Sequence, residues 1–393
     1  MPRIIYAIGD YVDPDLIVVG SGFYGSTVAR RFAEAFNKKV LIIEKRPHFG
    51  GNAYSHFNKV TNIEVHNYGT HIFHTSNIKV IDFITRFAAF NDYRHTVLAK
   101  HDNEFYSLPV NLATINKIYR ANFTSEQARD LIESEGREVP KNLANLNLEN
   151  KAISSVGRKI YEALIKNYTE KQWQTPPSLL PAETISRLPV RFNEDNSYFS
   201  DTFQGLPIHG YGALFQNILA HPNIEIQLNT DFFGTIWSKQ RTIPIVYTGP
   251  IDRYFNYKHG RLNWRTVDFE VEVLPQSDFQ GMAIVNYPDA DVAFTRIHEF
   301  KHLHPERENV SGTVIMREYS RFTTPEDEPY YPINSIDDRE ILLKYRGEIA
   351  ALRNVWFGGR LGTYQYLDMH MAIASALSFF DNDLSPSFKL RDL

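Results

Sequence analysis

The sequence predicts an α/β fold built round a parallel βαβ unit. Three observations carry this expectation. A short apolar run, Leu16-Ile17-Val18-Val19, ends at a glycine-rich turn. Val28, Ala29, Phe32, Ala33 and Phe36 then recur at helical spacing. A second apolar run, Val40-Leu41-Ile42-Ile43, ends on an acid, Glu44.

The turn Gly20-Ser21-Gly22-Phe23-Tyr24-Gly25 matches G-x-G-x-x-G between strand and helix, the setting in which that pattern binds a dinucleotide. The first glycine makes the tight turn, the second admits a pyrophosphate, and the third lets helix and strand approach. The helix N-terminus offers N–H donors and the positive end of its dipole to phosphates. Glu44 stands where an acid accepts hydrogen bonds from a ribose. A glycine turn in an unrelated α/β domain is the competing reading, and a strand, helix, second strand and acid together argue against it. Lys45, the glycine pair Gly50-Gly51 and Asn52 follow the acid directly, which suits a longer, extended dinucleotide. Near the C-terminus Gly358-Gly359-Arg360-Leu361-Gly362 precedes another helix that can reach the far end of the same cofactor. Together these favour FAD over NAD.

Residues 1–13 read as a short polar extension. Stretches 112–135 and 149–172 read as helical, the second with Val156, Ile160, Tyr161, Leu164, Ile165 and Tyr168 on one face. Pro176, Pro177, Pro181 and Pro189 break the next segment into loops of the kind that form lids. Strands are expected at 224–228, 243–247, 267–273, 282–286 and 312–319, and a helix at 371–380. At 393 residues the chain exceeds one compact core. The expected architecture is therefore a discontinuous Rossmann-type FAD-binding domain (14–80, 205–260 and 345–393), an inserted helical domain with a mobile substrate lid (105–204), and an antiparallel β-sheet domain (81–104 and 261–344).

Composition narrows the function. Hydrophobic residues make up 43% of the chain, enough for real cores. The net charge of −4 argues against nucleic-acid binding through a global basic field. With no cysteine, thiolate catalysis, disulfides and zinc-thiolate sites are excluded. His71 and His74 lack a carboxylate at metalloprotease spacing, so no metal is expected. No apolar stretch approaches the roughly 20 residues that span a bilayer. No membrane insertion and a cytoplasmic location are expected.

Five further blocks stand in order: Tyr68-Gly69-Thr70-His71-Ile72-Phe73-His74, Tyr168-Thr169-Glu170-Lys171-Gln172-Trp173, Arg187-Leu188-Pro189-Val190-Arg191-Phe192, Pro329-Tyr330-Tyr331-Pro332 and the run Gly359 to Met369. With them the chain resembles the UDP-galactopyranose mutase family over nearly its whole length after residue 13. It is most similar to actinobacterial members through Ile297-His298-Glu299-Phe300 and Met369 to Ala374. The resemblance implies a flavoenzyme that interconverts UDP-galactopyranose and UDP-galactofuranose, of the kind that serves cell-wall biogenesis. Reduced FAD, through N5, attacks the anomeric carbon and UDP leaves; the ring opens, recloses through another hydroxyl, and UDP returns, with no net redox change. NAD(P)H is the expected reductant and a homodimer the expected assembly.

The resemblance also implies roles. Arg187 and Arg296 bind the diphosphate, a task suited to a planar guanidinium. Tyr168, Tyr198, Tyr331 and Tyr366 contact the substrate through uncharged hydroxyls. Trp173 lies near sugar and uridine, its alternative being a core indole. Leu164 and Ile165 present the uracil pocket, where some relatives carry aromatics. His95 contacts the substrate, at a position that is Asn or His in relatives, and Asn286 contacts the sugar side. His74 lies against the flavin; His71 is either close by or a hydrogen-bonded core histidine. Arg360 lies at the pyrimidine end of the flavin, where positive charge stabilises the anionic reduced form. Tyr366, Leu367, Asp368 and Met369 complete the cofactor's surroundings with Gly359. A structural salt bridge between Arg360 and Asp368 is the alternative there. The sequence departs from the family at Ala293-Phe294-Thr295-Arg296, where Pro-Tyr often precedes the Thr-Arg. Two other functions compete: an FAD-dependent oxidase, against which two guanidiniums argue, and a non-catalytic nucleotide-sugar-binding flavoprotein.

Overall fold

The computed structural model describes residues 2–5, 13–185, 189–240, 242–307 and 311–390. Two large sheets organise them. The first has six strands in the order Arg3–Ile5, Ile224–Gln227, Val40–Ile43, Leu16–Val19, Ile245–Tyr247, Val355–Phe357, every pair parallel. Leu16–Val19 and Val40–Ile43 are buried at all positions, as parallel strands covered on both faces must be. The chain order reverses across Leu16–Val19, which opens a crevice at its carboxyl end.

The helix Phe23–Phe36 springs from that end and closes on Asn37 in the left-handed conformation. Its outer face packs against the C-terminal helices, with Phe32 edge-on to Phe388 at 4.8 Å and Phe36 against Phe380 at 6.1 Å.

The second sheet has seven strands in the order Tyr331–Pro332, Trp264–Leu274, Thr313–Phe322, Arg296–Glu299, Ile284–Asn286, Val97–His101, Glu104–Leu108. It is antiparallel apart from one pair. The expected antiparallel sheet is found, with one parallel pair in it, Ile284–Asn286 against Val97–His101. The helical region between 112 and 173 packs at this sheet's edge. Among the described residues no helix is long and apolar enough to cross a membrane.

Local expectations fare unevenly. The strands expected from 224 onward, and the helix expected at 371–380 and found at Met369–Phe379, agree within three residues. Residues 3–5 are not an extension but an edge strand, paired with Glu225–Gln227 and pinned by an Arg3–Glu225 ion pair at 2.7 Å. That pairing joins residues over two hundred apart, which no local pattern reports. The stretch 112–135 is two helices. Leu112–Tyr119 stops where Arg120 turns left-handed (φ 53°), and a Thr124/Gln127 capping box starts Ser125–Gly136. The stretch 149–172 begins at Leu148, breaks at Gly157 (φ 80°), takes a π-helical turn over Tyr161–Lys166 and ends as Asn167–Trp173.

Candidate active site and cofactor cleft

A long cleft runs along the carboxyl edge of the parallel sheet. Gly20, Gly22, Phe23, Gly25, Glu44, Lys45, Gly51, Asn52, His71, Gly359, Arg360, Leu367 and Met369 all line it. Sequence reasoning had not singled out Arg46, Thr248, Arg253 and Glu328, which line it too. Glu44 is fixed from three sides. Its Oε2 accepts from the Ser21 amide at 2.9 Å and hydroxyl at 2.7 Å, and its Oε1 from the Arg46 amide at 3.0 Å.

The glycines are held by space as well as by torsion. A Cβ on Gly25 would lie 2.1 Å from the Gly20 carbonyl oxygen. Gly51 sits at φ +57°, and a Cβ there would lie 3.1 Å from the Gly22 Cα, so the two glycine turns abut in one backbone cradle. An extended dinucleotide fits this cleft: a glycine cradle at its centre, an acid at one end, and Arg360 with Met369 at the other.

A second constellation centres on Arg296, at the start of the strand Arg296–Glu299. Its guanidinium donates to the Tyr168 hydroxyl and stands 3.3 Å from Glu318 Oε1. Burial alone would lower the Arg296 pKa; Glu318 first, then Tyr168, Tyr331 and Tyr198, hold it above its ordinary value. Burial likewise opposes the charge on Glu318, and Arg296 followed by the His298 hydrogen bond brings its pKa down to about 2. Both groups therefore stay ionised.

A hydrogen-bonded chain continues from there. His298 Nε2 lies 3.1 Å from Glu318 Oε2 and Nδ1 lies 2.7 Å from Thr70 Oγ1. A carboxylate only accepts, so Nε2 carries the proton, and the neutral ring accepts from Thr70 at Nδ1. Burial lowers the His298 pKa and keeps the ring neutral, against the pull of Glu318.

The two constellations meet. Arg360, on the cleft, lies 5.0 Å from the Tyr366 ring and 5.8 Å from the Tyr331 ring. Those rings stack at 5.9 Å, and Tyr331 belongs to the set round Arg296. Arg360 donates to the carbonyls of Tyr330 (3.2 Å) and Leu367 (2.7 Å), which fixes the chain on both sides of this contact.

Comparison with known proteins now decides the family. The family model described as UDP-galactopyranose mutase matches residues 163–366, and one described as an NAD(P)-binding Rossmann-like domain matches residues 18–87. A protein of Klebsiella pneumoniae named as a probable UDP-galactopyranose mutase is 40% identical, over 94% of this chain and 95% of its own. The chain belongs to the UDP-galactopyranose mutase family. Two other relatives widen the picture of that family. An Escherichia coli dTDP-fucopyranose mutase is also 40% identical, over 92% of this chain and 96% of its own. A UDP-galactopyranose mutase of Mycoplasma genitalium is 34% identical over 91% and 92%. Among solved structures, a reduced UDP-galactopyranose mutase shares the fold with a TM-score of 0.70 at 17% identity, covering 95% of this chain and 96% of that one. An oxidoreductase from Methanosarcina mazei shares it less closely, at 0.57 and 12%, covering 93% of this chain and 100% of that one.

In this mutase-family chain the remaining expected residues fall as follows. Asn286 is the register partner of Arg296, and among the described residues its buried Oδ1 has no hydrogen-bond partner. Tyr198 donates its amide to the His95 carbonyl at 2.9 Å, and their rings meet edge-on at 5.2 Å. Burial, reinforced by Arg296, lowers the His95 pKa to about 3. Burial lowers that of His71 to about 4. His71 Nδ1 donates to the Gly69 carbonyl at 2.7 Å, and the residue lines the cleft. His74 donates Nδ1 to Asp201 at 2.7 Å and stacks on Phe199 at 3.7 Å, leaving Nε2 for another partner. His74 is not among the residues lining the cleft itself, whereas His71 is.

Trp173 is half-buried against the core. Leu164 and Ile165 are both buried in the π-helical turn. Of the two only Ile165 borders a recess, lined mainly by apolar side chains such as Val110, Val156 and Ile185 but also by Lys151 and Ser155. Arg187 lies outside the described residues.

Glu318, His298, Thr70 and Lys171 were not foreseen as a working set. His298, Thr70 and Lys171 stood inside quoted motifs. Glu318 gave no signal beyond lying on an expected strand.

Proposed function

We propose that this protein interconverts UDP-galactopyranose and UDP-galactofuranose, using FAD in its reduced form. The observation that carries the reading is the junction of the dinucleotide cleft with a cation paired to a buried carboxylate: Arg360 to Tyr331 to Arg296. A reduced flavin, when bound, supplies the nucleophile toward the anomeric carbon.

The chain's own residues then have three tasks. Arg296, with Arg187 from the lid, binds the diphosphate, which is both handle and leaving group, and Glu318 keeps Arg296 oriented. Tyr168, Tyr198, Tyr331 and Tyr366 wall the pocket and donate hydroxyls to oxygen without adding charge. Asn286, through its unpaired Oδ1, and His95 face the sugar. Gly20, Gly22, Phe23, Gly25, Glu44, Lys45, Gly51, Asn52, His71, Gly359, Leu367, Asp368 and Met369 hold the cofactor. Arg360 stabilises the anionic reduced ring and His74 orients beside it. Trp173, Leu164 and Ile165 border the nucleoside. The same reading includes NAD(P)H as reductant, a homodimer, a cytoplasmic location and the three-part domain division with a closing lid. The likeness to actinobacterial members rests on its own motifs alone; the relatives reported above come from Klebsiella, Escherichia and Mycoplasma.

A second substrate is favoured by a specific observation. The Escherichia coli relative, as similar as the Klebsiella one, is named for dTDP-fucopyranose, and the recess beside Ile165, although Lys151 and Ser155 also line it, offers Val110, Val156 and Ile185 to the methyl of thymine. The deciding experiment incubates dithionite-reduced protein with UDP-galactofuranose and, separately, with dTDP-fucofuranose, followed by chromatography. Conversion of the first supports the main reading. Conversion of the second alone moves the substrate to dTDP-fucose. Turnover of neither, with nucleotide still bound, leaves a silent binder, and oxygen consumption without prior reduction marks an oxidase.

A further inference from the structure

Lys171 is held by an unusual set of partners. Its ammonium donates to the backbone carbonyls of Tyr287, Asp289 (2.9 Å), Val292 (2.9 Å) and Phe294 (3.2 Å). All four belong to the loop 287–294. The Tyr287 amide closes the neck of that loop on the Thr295 carbonyl at 2.9 Å, and the Tyr287 and Phe294 rings meet edge-on at 4.8 Å. The four inward carbonyls form a cage round one point charge. Lysine suits it, because its ammonium is compact and its three protons rotate freely. Without the charge, four carbonyl dipoles would face one another across a partly buried space, and the loop would have to open.

The loop is the tip of a hairpin whose two last paired residues are Asn286 and Arg296. Lys171 lies one helical turn from Tyr168 on Asn167–Trp173. It thus ties the element bearing Tyr168 to the element bearing Asn286 and Arg296. We propose that Lys171 is the positioning residue of the diphosphate site, locking the 284–299 hairpin against the 167–173 helix so that Arg296 and Tyr168 address one ligand. This rests on the nucleotide-sugar reading of that site. The cage also explains how Phe294 serves here: its contribution is a carbonyl oxygen, which does not depend on the side chain. Burial lowers the Lys171 pKa to about 8, opposed by Asp289 and Asp291, so at neutral pH the charge remains. Asp289 is itself engaged by His101.

The test uses FAD-loaded protein and UDP as probe. Wild type, Lys171→Ala and Lys171→Arg are compared for UDP affinity by fluorescence titration, for flavin content, for melting temperature, and for KM against kcat. Lys171→Ala is expected to weaken UDP binding and raise KM at least tenfold, with kcat within threefold, flavin content unchanged, and partial recovery in propylammonium but not tetramethylammonium chloride. Lys171→Arg keeps the charge, so it carries the test if the alanine variant does not fold; its planar fork cannot serve four converging carbonyls, and at least threefold weaker binding is expected. Wild type that fails to bind UDP removes the nucleotide reading. Wild type that binds, with a folded variant binding within twofold of it, overturns the role of Lys171 alone.

Discussion

Arg296 and Glu318 form an ion pair, 3.3 Å from Nε to Oε1, between a partly exposed guanidinium and a buried carboxylate on neighbouring antiparallel strands where they are direct register partners. Cross-strand pairing fixes the separation of their Cα atoms, so the carboxylate sits under the guanidinium whether or not a ligand is present. A partly exposed cation already neutralised on its buried side presents its remaining N–H groups to whatever enters from the other. Tyr168 takes one of them.

Replacing Arg296 by Ala removes the charge and leaves Glu318 buried without its partner. Stranding one member of a buried pair typically costs about 3–5 kcal/mol. Steady-state kinetics of Arg296→Ala should show kcat/KM reduced at least a thousandfold, about 4 kcal/mol at the transition state. Melting temperature should fall while the ratio of flavin to protein absorbance stays the same. A variant with near-normal turnover would show that the diphosphate lies elsewhere.

Acidification should destabilise the protein well above the range where carboxylates titrate. The folded pKa of His95 is depressed to about 3 and that of His71 to about 4. Between an unfolded value near 6.5 and those folded values, the unfolded chain binds protons that the folded one refuses. Stability therefore falls as pH falls through that window, by about 1.4 kcal/mol per pH unit for each histidine. Glu318 adds to the loss lower down, because its stabilisation is complete above an unfolded value near 4.3 and disappears as pH drops toward about 2. Melting temperature should stay level from pH 7.5 to about 6.5 and fall steadily from there to pH 4.5. Double replacement by Gln at His71 and His95 should flatten that slope; an unchanged slope contradicts the assignment.

Gly25→Ala should abolish cofactor retention. The added Cβ meets the Gly20 carbonyl at 2.1 Å and the Val18 side chain at 3.1 Å, and the first of these is backbone that cannot move aside. Relieving the clash pushes the helix Phe23–Phe36 off the strand and spoils the turn. Purified Gly25→Ala should lack the flavin absorption band, whereas Gly234→Ala, with nothing within 4 Å of the new methyl, should keep it.

Glu328 joins the far rim of the cofactor cleft to the near one. Lys45 Nζ reaches its Oε1 at 2.5 Å and Arg46 its Oε2 at 3.2 Å, while Arg46 lies 4.4 Å from the Tyr68 ring. Glu328 and Lys45 are each more than a third exposed, so screening limits the clasp to roughly 1 kcal/mol or less. Glu328→Gln should release FAD up to fivefold faster at low salt, and the difference from wild type should vanish at high salt. A salt-independent difference argues that the clasp is not electrostatic.

These predictions separate what sequence could report from what it could not. The βαβ unit was legible because its signals are local: Gly20 to Gly25, the helical repeat and Glu44 lie within thirty residues, with Gly20 required by its positive φ and Gly25 by the Gly20 carbonyl it touches. Arg296 and Tyr168 were legible only through motif resemblance, since nothing marks one tyrosine among 22. Glu318 and Lys171 were hidden for a physical reason. Glu318 matters because strand pairing sets it beside Arg296, and Lys171 because a loop more than a hundred residues away turns its carbonyls inward. The edge strand Arg3–Ile5 was missed for the same cause. The helix break at Gly157 could have been read from the glycine itself, and the one at Arg120 from the Thr124/Gln127 box that follows it.

The central claim is that a flavin in this cleft works reduced, beside a diphosphate held by Arg296. One measurement addresses it most directly: conversion of UDP-galactofuranose to UDP-galactopyranose by the same FAD-loaded preparation before and after dithionite reduction, under anaerobic conditions. Conversion is expected only after reduction, with dithionite not consumed as turnover proceeds. Equal conversion by the oxidised protein, or stoichiometric consumption of the reductant, would contradict it.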